Sequence, residues 1–178
     1  MVRKAMRFEE ELYQEEMGRL LRAAYGALST EYPDVVVYSA SICTEPDARV
    51  SAVSFDTRQN SEAMVARMAR WARDQHARML AEDPQAAAAL LRVPARNTNP
   101  ADFAVRDIVE VRHKAFDPHW EESSGGRCWD LLEPALERAA AVALEIFSRL
   151  PLDQDAELGV STRRDWYGRT WTLGPPAT

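Results

Sequence analysis

The chain has 178 residues, of which 46% are apolar and 28% charged, the usage of an ordinary globular protein. Its formal net charge of −6 speaks against a general nucleic-acid binder, whose phosphate contacts need a net basic surface. Cys43 and Cys128 are the only cysteines, too few for a secreted disulfide framework, so two reduced thiols in a cytoplasmic protein are expected.

The opening "MVRKAMRFEEELYQEE" is basic, then acidic, with no apolar stretch behind it, so it does not read as an export signal. From residue 7 to about 29 the spacing predicts a helix. Tyr13, Met17, Leu20, Leu21, Ala24 and Leu28 form one apolar stripe, and Glu9, Glu10 and Glu11 suit the positive end of the helix dipole. Pro33 then forces the chain out of the α region. Residues 35–43, "VVVYSASIC", and 50–55, "VSAVSF", read as strands, and the short "TEPDAR" between them makes an antiparallel hairpin.

A second helix is expected to open near Asn60 or Ser61, with Met64, Met68, Trp71, Ala72 and Met79 as its inner stripe. Asp83-Pro84 is a cap followed by proline at the first helical position, so a short helix runs on to Leu91. Residues 92–102 form a loop. Residues 103–116 fit both a strand and a helix, and their β-branched density favours a strand broken at Asp107. A long helix follows over about 128–150, stopped by Pro151, and two strands at 158–162 and 169–173 flank a polar turn. The longest low-polarity run, residues 86–91, is too short to span a bilayer. The expectation is one α+β domain over 1–178, with 1–6 and 174–178 as flexible tails. It consists of an antiparallel sheet of four to five strands with helices packed on it.

No motif announces chemistry. His113 and His119 would be separated by about 9 Å of helical rise or roughly 20 Å of strand, and neither CxxC nor HxxxH occurs, so no metal is expected. The glycines match no phosphate loop, so no cofactor is expected. No catalytic residue is assigned. Cys128 near His119, with Asp117 and Asp130 as orienting groups, leaves a small hydrolase-like enzyme as an alternative. Two longer features stand out. Between Asp117 and Glu157 ten carboxylates face only Arg127, Arg138 and Arg149, which reads either as a solvated helix face or as a docking face for a basic partner. Residues 163–171, "RRDWYGRTW", interleave arginine with aromatic rings. That composition serves a protein–protein hot spot or, as a third reading, single-stranded nucleic acid.

Two stretches, "SFDTRQNSEAMV" and "RNTNPADFAV", follow the leading helix and hairpin in an order that resembles a group of small bacterial α+β proteins. Members of that group lie beside polymorphic toxin genes and are taken to be immunity proteins. This chain departs from the pattern at Asn97, where an aromatic residue is expected, and at Asp102 and Phe103, where Glu and Trp are expected. The resemblance implies a binding role and carries no catalytic residues. The expected partner is a protein, a basic toxin domain, with no nucleic acid and no membrane. The expected contacts are Asp117, His119, Trp120, Glu121 and Glu122 in an exposed loop over 116–130, together with Arg163, Arg164 and Trp166.

Overall fold

The apolar stripe of the leading helix finds its partner in the sheet. The structure is a computed structural model that describes residues 7–174; the two expected tails lie almost wholly outside the described residues. In chain order the elements are α1 (Glu10–Glu31), β1 (Val37–Glu45), β2 (Val50–Asp56), α2 (Arg58–Met79), α3 (Pro84–Leu90) and a 3-10 turn (Pro100–Asp102). They continue with β3 (Val105–Arg112), α4 (Trp120–Ser124), α5 (Trp129–Phe147), β4 (Leu152–Val160) and β5 (Arg169–Thr172). One five-stranded sheet has the order β3-β2-β1-β4-β5. It is an α+β fold with a mostly antiparallel sheet. The exception is the central pair, where β1 and β4 run parallel. A parallel pair needs a long crossover, and everything from β2 to α5 lies within it.

Alternation along the strands divides the sheet into two unlike faces. On one, Ala40, Ile42, Val53, Phe55, Leu158 and Val160 join Met17, Leu20, Leu21 and Leu28 of α1 and Leu132, Leu136 and Phe147 of α5 in the core. On the other stand Ser39, Ser41, Cys43, Ala52, Ser54, Asp56 and Gly159, all small or polar. Loops and the first turn of α2 cover this second face. Arg96 reaches the Tyr38 carbonyl and the Ser39 hydroxyl, and Asp56 accepts from Thr57 and Ala104 backbone N–H groups and from the Asn60 and Asn97 amides. Gly159 has no side chain because the Tyr167 ring lies where one would be: a Cβ there would sit 2.2 Å from it.

The structure corrects several expectations. The ambiguous 103–116 segment is a strand, β3, and Asp107 does break its pattern: it takes φ 43° where the β2–β3 register shifts. α2 starts at Arg58 because Thr57, not a later residue, accepts the capping hydrogen bond from Asn60 N–H. Its expected inner stripe is mostly not inside. Only Ser61 and Ala72 are buried, and Trp71 is 58% exposed. β4 begins at Leu152, six residues before the expected strand, and β5 ends at Thr172.

Candidate functional site

The largest correction falls on residues 116–130. They do not form an exposed loop. His119 takes the left-handed conformation (φ 56°), and α4 follows at once. Asp47, in the β1–β2 turn, holds this helix start: its carboxylate accepts from the Glu121 and Glu122 backbone N–H groups at 2.7 and 3.1 Å, and its carbonyl accepts from His119 N–H. Trp120 is therefore turned inward. It is 1% exposed, with ring centroids 5.0 Å from Phe8 and 4.8 Å from Phe116. It is a core residue and not a partner-binding anchor. Asp117, His119 and Glu122 remain exposed, with a loose His119–Glu122 contact at 3.7 Å.

The same docking of α4 places Glu121 beside the hairpin turn. Glu45, Asp47 and Glu121 then crowd one another. The Glu45 carboxyl is pushed above its ordinary range, first by burial and then by the charges of Glu121 and Asp47.

The loop over residues 161–168 closes the other side. Thr162 N–H bonds the Asp165 carbonyl at 2.7 Å, and Tyr167 N–H bonds the Asp165 carboxylate at 3.0 Å. Tyr167 is buried under this turn, while Trp166 beside it is 50% exposed. Arg163 anchors the loop to α5, its backbone N–H donating to Glu133 at 3.0 Å. Its guanidinium lies over Gly126, where a Cβ would be 2.5 Å away. Glycine is needed there twice over, since φ is also +80°.

Two adjoining hollows result. One, of about 190 Å³, is lined by Glu121, Trp129, Arg163, Arg164, Asp165 and Trp166, with Thr44, Glu45 and Pro46. The other, of about 300 Å³, lies on the small-residue face of the sheet. Cys43, Val50 and Ala52 form its floor, Pro100, Ala101 and Trp166 its walls, and Glu45, Asp107 and Glu110 its charged groups. Glu45 and Trp166 belong to both. Of the residues expected from sequence, the structure brings Glu121, Arg163, Arg164 and Trp166 together and leaves Asp117, His119 and Glu122 on the flank. Sequence reasoning missed Glu45, Asp107 and Glu110, since nothing in their spacing joins a turn to the third strand. The one available signal was Asp107, which interrupts an otherwise alternating strand.

For the hydrolase-like alternative, neither thiol sits in a surrounding that activates it. Cys128 is fully buried, and burial raises its thiol pKa. The Cys43 thiol is pushed up to about 12, by burial first and then by Glu45 and Asp107. A reactive thiol needs an electropositive surrounding, and these are the reverse. A second polar constellation lies on the core face. His113 Nδ1 meets Glu16 at 2.8 Å and Nε2 meets the Ser51 hydroxyl at 2.7 Å. The order acid–histidine–serine is that of a nucleophilic triad. Here His113 and Ser51 are 0% exposed, and the Ser51 hydroxyl is already paired with Thr44 at 2.6 Å, so the set is a closed buried network. Among the described residues, no cluster of three or more His, Cys, Asp or Glu could hold a metal, and no helix is long and apolar enough to cross a membrane.

Comparison with known proteins finds no matching family model, no similar curated protein and no similar solved structure.

Proposed function

We propose that the protein binds a basic protein partner through the face where Glu45, Glu121, Asp107, Glu110 and Trp166 meet, and that it acts as an immunity protein covering the cleft of a toxin domain. One observation carries the reading. A half-exposed tryptophan stands between two hollows on a hydrogen-bonded loop, ringed by carboxylates that take part in no ion pair among the described residues. A rigid aromatic anchor with surrounding charge is the arrangement of an interface hot spot, and charge of this sign steers a basic partner. Toxins that act on nucleic acid have basic clefts, which supports this choice of partner, as does the resemblance to immunity proteins.

The test is binding to the product of the adjoining gene, by calorimetry, with Trp166→Ala and Trp71→Ala compared. Trp166→Ala is expected to weaken binding by about 30-fold, the ~2 kcal/mol of a hot-spot truncation, and Trp71→Ala to leave it alone. The opposite pattern would move the interface to α2 and sink this reading. Single-stranded DNA is expected to show no binding at physiological salt, because the same carboxylates repel phosphate. A micromolar affinity lost in Trp166→Ala would replace the protein partner with a nucleic acid.

A further inference from the structure

Taking that face as the docking surface, we infer that the hollow between Trp166 and the 3-10 turn receives an arginine side chain of the partner. Three features of the hollow select this occupant. Its floor and one wall are aliphatic, from Val50, Ala52, Pro100 and Ala101, and suit the methylene stem of a long cationic residue. Its other wall is Trp166, whose indole face attracts a guanidinium and offers it a plane to stack on. Its charged groups are Glu45, Asp107 and Glu110, and no Arg or Lys lines it.

The carboxylates are otherwise uncommitted. Asp107 accepts one long hydrogen bond from Ser54 at 3.4 Å, and none of the three is ion-paired among the described residues. Elsewhere the protein does pair such groups. Arg58 holds Asp153 and Asp155, and Arg169 holds Glu137. The hollow thus concentrates negative charge that the chain leaves unmatched; burial first, and then the charges of Glu121 and Asp47, raise the Glu45 carboxyl, and a cation beside it offsets those charges. Arginine is favoured over lysine because its planar fork can stack on the ring and pair a carboxylate at once.

The adjoining hollow leaves space for the chain that flanks the arginine. Arg163 and Arg164 line this second hollow with Glu45 and Glu121, but not the first, where Asp107 and Glu110 stand.

The experiment titrates the full chain with acetyl-Gly-Gly-Arg-Gly-Gly-amide and with the same peptide carrying citrulline, which keeps the shape and removes the charge. The indole N–H resonance of Trp166, assigned by its loss in Trp166→Ala, is the readout. The arginine peptide is expected to shift it saturably, with at least a tenfold higher affinity than the citrulline peptide. Glu110→Gln combined with Asp107→Asn is expected to weaken the arginine peptide at least fivefold, with the amide spectrum otherwise unchanged. If the double variant were to unfold, Glu110→Gln alone, at an exposed position, is expected to weaken binding at least twofold. Equal affinity for the two peptides, or arginine binding that survives loss of the carboxylates, would overturn the inference. Failure of the underlying reading looks different: the adjoining gene product then binds Trp166→Ala as well as it binds the unaltered protein. A partner that needs Trp166 but ignores the carboxylate variants leaves the face standing and removes the arginine.

Discussion

Two tryptophans, Trp120 and Trp166, stand in stretches of nearly the same character, each with arginines or carboxylates and a glycine close by. Trp120 is 1% exposed and Trp166 is 50% exposed. The difference comes from what the neighbouring backbone is tied to. Asp47 caps α4 from the hairpin turn and so points the first helical residue into the Phe8–Phe116 aromatic cluster. In the 161–168 loop, Asp165 fixes a turn that buries Tyr167 instead, and the residue before it is left outside. Composition marks an interface-like stretch, but a single distant hydrogen-bond acceptor decides which ring is available to a partner.

The contrast can be broken at its buried end first. Trp120→Ala should cost about 3–5 kcal/mol of stability, as large core truncations do, and should show as a large fall in the urea midpoint. Trp120→Phe should cost clearly less. It keeps a ring against Phe8 and Phe116 and removes an indole N–H that has no acceptor.

Next comes the buried network. His113→Ala leaves Glu16 enclosed with only the Lys114 backbone N–H as donor, and should cost about 3 kcal/mol. The double variant Glu16→Leu/His113→Phe should recover part of that loss, so a double-mutant cycle should show coupling. Burial lowers the His113 pKa, with Glu16 opposing. The neutral ring is thus the folded form. The unfolded chain takes up the proton first, so stability is fully present above about pH 6.5 and falls as pH drops through that value. Urea midpoints across pH 5–8 check the sign, and His113→Ala should flatten the slope.

The elements with local signals were legible in the sequence. The stripe of α1, the hairpin, and the Asp83-Pro84 start of α3 all rest on residues within one turn or strand of each other. What was not legible depends on pairing at a distance. The early part of β4, "LDQDAE", is polar and lacks β-branched residues, and it is a strand because β1 lies beside it. The acidic run over 117–157 looked like one face. In the structure Arg58 takes Asp153 and Asp155, and Arg169 takes Glu137, so arginines from other elements dissolve it. The unpaired carboxylates around Trp166 are Glu45, Asp107, Glu110 and Glu121, from three separate segments. No sequence window contains them.

Gly126→Ala tests the link between the two tryptophan stretches. The left-handed backbone and the Arg163 guanidinium both oppose a side chain, and the cost should be about 1–3 kcal/mol. Adding Arg163→Ala should return only the steric part, because φ remains +80°.

The smallest effect on stability is expected at the exposed ring. Trp166→Ala should change stability by less than about 0.5 kcal/mol, as surface substitutions do. Its loop is held by Thr162, Asp165 and Tyr167, none of which needs the indole. The value of this variant is the pairing of two measurements. An unchanged thermal midpoint together with weakened partner binding separates Trp166 from Trp120, where a lowered midpoint would make any loss of binding ambiguous. A Trp166→Ala protein that melts well below its parent would show that the ring supports the 161–168 loop. The half-exposed tryptophan would then be scaffold at both ends of the comparison.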